Sequence, residues 1–108
     1  MKLVELVSFF RKGGTFELFC LEQSLDKESE VIEVYMQKPF ALDNDLMFFQ
    51  IEETEGSFEY SFMGVPYFNL FDFYFFLDAI AESKERGSEQ LSDHEIAQKL
   101  YSYAIHDA

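Results

Sequence analysis

Carboxylates are the side chains this chain offers most freely for chemistry, with 21 Asp and Glu against 8 Lys and Arg and a net charge of −13 over 108 residues. Two carboxylates divide general-acid and general-base roles when their surroundings separate their pKa values. Glu52 and Glu53 cannot do so together in a strand, because adjacent residues point to opposite faces. Glu52 and Glu59 could meet across a hairpin, but a solvated polar face accounts for them, since Glu is ordinarily exposed. His94 and His106 are the only histidines. On one helix, their spacing means a rotation of about 120° and a rise of about 18 Å, too far for a shared metal. Asp93, His94 and Glu95 lack the i, i+4 spacing that puts two ligands on one helical face. The residues suggest no catalytic centre, no metal and no cofactor.

Cys20 is the only cysteine, which excludes an intramolecular disulfide and a multi-thiolate zinc site. It stands within Phe16–Leu21, and a buried, inert thiol is the expected state. Gly13-Gly14 reads as a helix stop, not a phosphate loop, because a phosphate loop follows a strand and opens a helix. No other catalytic signature is present. The N-terminus lacks a signal-peptide pattern and no apolar stretch reaches the roughly 18 residues of a membrane span, so a cytoplasmic protein is expected.

Hydrophobic residues make up 48% of the chain, including 14 Phe and 6 Tyr. That content separates it from disordered acidic tails and fits one globular domain over residues 1–108. Residues 3–12 predict a helix, with Leu3, Leu6, Val7 and Phe10 on one stripe. Strands are predicted at 15–22, 31–37, 46–53 and 57–64 from alternation. The link Thr54-Glu55-Gly56 predicts a hairpin between the last two. Asn69 is the expected cap of a helix from 70 to about 86, stopped by Gly87. The aromatic run within it also suits a strand. Ser92 and Glu95 form a capping box that opens a helix to about His106. The fold class is α+β: an N-terminal helix, a four-stranded mostly antiparallel sheet and two C-terminal helices.

The charge is uneven. Residues 15–64 hold two basic and twelve acidic residues, net −10. Alternation puts Phe16, Leu18, Cys20, Ile32, Val34, Met36, Met47, Phe49, Ile51, Phe58, Tyr60 and Phe62 on a core face. It puts Glu17, Phe19, Glu33, Tyr35, Phe48, Gln50, Glu52, Glu59, Ser61 and Met63 on the other. Like charges on one sheet face destabilise a fold unless something offsets them. A basic partner anchored on the rings would do so; a helix layer over Phe19 and Phe48 is the alternative. The high negative charge argues against direct contact with nucleic acid or an anionic membrane. The candidate partner-binding residues are Asp26, Glu28, Glu30, Glu33, Tyr35, Asp43, Asp45, Phe48, Glu52, Glu53 and Glu55.

With its acidic loops (Asp26, Glu28 and Glu30; Asp43 and Asp45; Glu52, Glu53 and Glu55), its C-terminal Leu91–Ala97 segment and no catalytic motif, the chain resembles the bacterial immunity proteins of contact-dependent growth inhibition. The resemblance implies a non-enzymatic antitoxin. Its partner would be a basic cognate toxin domain of nuclease type, whose active site or substrate cleft it covers. The other function carried by the charge is nucleic-acid mimicry, as in antirestriction or anti-CRISPR inhibitors. Mimicry expects regularly spaced acids on an elongated surface; immunity expects a compact acidic patch with aromatic anchors. A ligand-binding enzyme would instead need a closed cavity with convergent polar groups.

Overall fold

A computed structural model describes residues 1–85 and 91–107. The predicted stop at Gly87 lies outside the described residues. Helix α1 (Leu3–Arg11) buries the expected stripe of Leu3, Leu6, Val7 and Phe10. It ends where Gly13 turns to φ +94° and the Gly14 N–H donates to the Phe9 carbonyl at 2.9 Å.

The segment expected as a first strand is instead helix α2 (Phe16–Glu22). Thr15 decides this: its side chain accepts from the Leu18 N–H at 3.1 Å, and its hydroxyl caps the helix. Phe16, Phe19 and Cys20 then fall at helical spacing, and Phe19 and Cys20 are buried while Leu18 and Leu21 face out.

Four strands follow as β1 (Ile32–Met36), β2 (Leu46–Gln50), β3 (Glu59–Phe62) and β4 (Val65–Asp72). All pairings are antiparallel and the order is β2-β1-β4-β3. The expected hairpin across Thr54-Glu55-Gly56 does not exist, because β2 and β3 are the two edges of the sheet. Residues Ile51–Thr54 form a short helix, α3, and Glu55 (φ +56°) and Gly56 (φ +74°) terminate it. The true hairpin joins β3 to β4 through Met63 (φ +53°) and Gly64 (φ +82°). Two successive left-handed residues suit the right-handed twist of a tight hairpin, and asparagine favours the first position. Met63 is 87% exposed there. Met63→Asn is therefore expected to raise stability by about 1 kcal/mol in chemical denaturation, through relief of the left-handed cost.

The aromatic run predicted as one helix from residue 70 divides. Its first part continues β4, and α4 (Phe73–Glu85) starts after Asp72. The cap is Asp72, not Asn69: its Oδ1 accepts the Phe75 N–H at 2.8 Å. Helix α5 (Asp93–Asp107) opens with the expected box, Ser92 and Glu95 exchanging bonds of 3.0 and 3.1 Å. Arg11 ties α1 to its start, donating to Asp93 Oδ1 and the Leu91 carbonyl at 2.8 Å each. No described helix is long and apolar enough to cross a membrane.

The helices cover one face of the sheet, where Ile32, Val34 and Met36 meet Leu6, Phe10, Phe19 and Phe76 in the main core. The other face is covered by the sheet's own curl and by α3 with the segment after it, through Thr54 and Ser57. Leu70 is an extra residue in β4 where the β1 pairing shifts between Val34 and Tyr35, and such a bulge sharpens twist and bend. Three strand spacings would hold the edges about 14 Å apart in a flat sheet. Here the Phe49 ring of β2 lies 4.9 Å from Tyr60 and 5.4 Å from Phe62 of β3. The sheet has rolled until its edges meet through their rings.

Candidate functional site

The register corrects the expected face assignments. Each strand's alternation holds, but β2 pairs with opposite parity: Val34 faces Phe48, while Glu33 faces Phe49 and Tyr35 faces Met47. Phe49, Tyr60 and Phe62 thus belong to the face of Glu33 and Tyr35, inside the roll. Tyr35 is fully buried there and its hydroxyl donates to the Ser57 carbonyl. Glu33 is buried beneath Thr54 and Asn69, which donate to its two carboxylate oxygens. Phe48 lies on the helix side, its ring 4.9 Å from Phe19 and 6.3 Å from Phe73. These three candidates are core, not an open anchor surface. Phe19, expected on the exposed sheet face, is 1% exposed in α2. Glu52 lies in α3, so no cross-strand pair with Glu59 forms.

Six of the remaining candidates come together. The loop carrying Asp26, Glu28 and Glu30 docks on α3, which carries Glu52 and Glu53 and is followed by Glu55. The Asp26 N–H donates to Gln50 Oε1 at 2.9 Å, and the Glu30 N–H to Glu52 Oε2 at 3.0 Å. The Ser29 hydroxyl donates to Glu52 Oε1. Glu53 bonds back to the Gln50 N–H, and Asp26 Oδ1 accepts the Glu28 N–H. All six acids are exposed. The carboxylates of Glu28, Glu30 and Glu55 accept no hydrogen bond and form no ion pair among the described residues. Lys27, the base within this ridge, reaches away to Glu17 at 3.9 Å.

Asp43 and Asp45 are not part of the ridge. They precede β2, at the Met36–Leu46 end of a ladder whose other end is Ile32–Gln50. The two ends lie about 13 Å apart by strand rise. Asp45 instead holds the terminal ammonium of Met1 at 3.5 Å. Sequence reasoning missed Tyr74. It is 63% exposed beside the ridge, and its hydroxyl donates to the Glu30 carbonyl at 3.0 Å. Within a run apolar nearly all round, nothing in the spacing singled it out.

The Ser29 hydroxyl, and then the Glu30 N–H, hold the Glu52 carboxyl below the ordinary carboxylate range. A group whose folded pKa is depressed contributes above its unfolded pKa, and the contribution is lost as pH falls through the folded value. Acidification through that window is expected to free the 26–30 loop from α3, read as lost hydrogen-exchange protection at the Glu30 amide. Burial, with the nearby charge of Asp26 second, pushes the Cys20 thiol up, so it is a poor nucleophile. Among the described residues no group of three or more His, Cys, Asp or Glu is placed to hold a metal ion. No protein-family model matches the chain, and neither a curated protein nor a solved structure matches it.

Proposed function

We propose that this chain is an acidic binding module of the immunity-protein kind, acting in the cytoplasm without catalysis of its own. It neutralises a basic toxin domain of nuclease type by covering that domain's active site or substrate cleft. The observation that carries this reading is the ridge of Asp26, Glu28, Glu30, Glu52, Glu53 and Glu55. Two segments more than twenty residues apart are tied together by bonds to Gln50 and Glu52, leaving carboxylates free to meet Lys and Arg. The ridge is compact and has Tyr74 as its aromatic neighbour, which fits an anchored protein interface better than a spaced mimic of phosphates. Asp43 and Asp45 lie outside this interface.

The test is capture of partners from the source organism with this chain as bait, followed by binding measurements on a captured basic domain with nuclease activity; capture of no such domain would overturn the reading. Replacing Glu28, Glu30 and Glu55 by Lys should weaken the complex with little change in melting temperature, since exposed charge changes shift stability by about 0.5 kcal/mol. Charge screening acts over about 8 Å at physiological ionic strength, so association should slow as salt rises while dissociation changes less. Tyr74→Ala should chiefly speed dissociation, by an amount worth about 2 kcal/mol. Undiminished binding by the triple variant would overturn the assignment of the ridge.

A further inference from the structure

A cleft of about 470 Å3 opens between β4 and the C-terminal half of α5. Glu33 and Asp72 line it and sit directly opposite each other in the β1–β4 pairing. Asn69 lies beside them. Phe58, Phe75 and Tyr103 supply rings, with Phe75 and Tyr103 stacked at 4.3 Å. Among the described residues no lysine or arginine lines it.

Neither acid of this cleft forms an ion pair among the described residues, and Lys38, beside its wall, lies 5.7 Å from the centre of the Phe58 ring. Glu33 is only 7% exposed, yet both partners of its carboxylate, the Thr54 hydroxyl and the Asn69 amide at 2.9 Å, are neutral. A buried carboxylate is costly unless a cation balances it, and two like charges directly opposite in a sheet repel. Asp72 adds its charge while its Oδ1 is engaged with the Phe75 N–H. Aromatic faces around a partly desolvated site attract a cation further, as Lys38 over Phe58 already shows, and the stacked pair of Phe75 and Tyr103 offers a second such wall.

The floor has one more property. The β3–β4 register ends at Phe68, with one further bond from the Asn69 N–H to the Phe58 carbonyl. Beyond it, β4 has β1 as its strand partner on one side only. An extended backbone laid there could use the open edge.

We propose that this cleft recognises a guanidinium group, with Glu33 and Asp72 as its counter-charge and the rings of Phe58, Phe75 and Tyr103 as its walls. The inference goes beyond the acidic ridge, which lies on α3 and the loop before β1. Replacing Glu28, Glu30 and Glu55 leaves the cleft's own residues unchanged, so the two readings can fail separately.

The experiment is an NMR titration of the full chain with N-acetyl-arginine amide, using the neutral isostere N-acetyl-citrulline amide as control. Saturable shifts are expected at the amides of Asn69–Phe75 and around Tyr103, with the citrulline compound at least about tenfold weaker, as loss of a charge-assisted contact requires. Glu33→Gln should also weaken the arginine compound about tenfold or more. Because Glu33 is buried, Tyr103→Ala gives a second reading. This ring is 45% exposed, and its loss should cost about fivefold in affinity while the fold persists. A short extended peptide, acetyl-Ser-Arg-Thr-Val-amide, separates the two sources of the group. Binding about tenfold tighter than the arginine amide identifies a side chain presented on an extended backbone; equal binding identifies a small free guanidinium compound. Absence of saturable shifts, or equal binding of the citrulline compound, would overturn the proposal.

Discussion

Tyr35→Ala is expected to lower the unfolding free energy by about 4 kcal/mol, the cost of emptying a large buried ring site. Tyr35 is fully buried on the sheet face opposite the main core, where only the short α3 contributes a helix. Its ring lies 5.3 Å from Phe49, which in turn contacts Tyr60, Phe62 and Tyr67. Removing it opens the centre of the roll. Tyr35→Phe separates the ring from the hydroxyl and should cost only about 1 kcal/mol, for the bond to the Ser57 carbonyl. Urea denaturation of both variants checks the pair. An alanine variant within about 1 kcal/mol of the wild type would mean that the face is open, since exposed changes are of that small size.

Phe19→Ala should be as damaging, about 3–5 kcal/mol, for a different reason. Phe19 projects from α2 into the main core, its ring 4.8 Å from Phe73, 4.9 Å from Phe48 and 5.8 Å from Phe10. A helix of seven residues cannot stand alone, so losing this ring also releases α2 from the sheet. Phe48→Ala should be partly redundant with it. A double-mutant cycle is expected to give a coupling of about 1 kcal/mol, the usual size for an edge-to-face ring pair. Neither substitution should change the dissociation of a basic partner once the variant is folded, because neither ring reaches the ridge.

Elements with their own start and stop signals were legible in the sequence. Helix α1 has its stripe and its glycine stop; α5 has its box. The interior of β1 shows clean alternation, and both of its faces are buried. Two misreadings arose where helical and strand periods coincide. Phe16, Leu18 and Cys20 alternate, yet Phe16, Phe19 and Cys20 also fit a helix, and only the Thr15 cap separates the two. Between 65 and 77 the run is apolar at either period, so the β4–α4 boundary depends on which of Asn69 and Asp72 caps.

The candidate site was harder to read for a related reason. Alternation within a strand gives parity, but pairing gives the face, and a one-residue shift exchanges the two sets. Phe48 and Phe49 exchanged places in this way. The acids of the loop before β1 and of α3 were each visible as exposed charge. Their union depends on the amide of Gln50 and the carboxylate of Glu52, polar groups whose tertiary partners no local pattern indicates. Glu33 was expected to meet a partner on an exposed sheet face, whereas Thr54 and Asn69 are placed to bury it.

The rolled sheet separates what holds this chain together from what it shows to others. Its rings turn inward on both sides of β1, while the ridge is built from a loop and a four-residue helix that contribute little apolar area. Exposed positions of that kind usually change stability by less than about 0.5 kcal/mol. Glu28 and Glu30 can therefore be exchanged almost freely as far as folding is concerned, and Glu55 among residues that tolerate its left-handed backbone. A lineage under pressure to match a changing partner could redraw this surface residue by residue, and the scaffold would not record the difference.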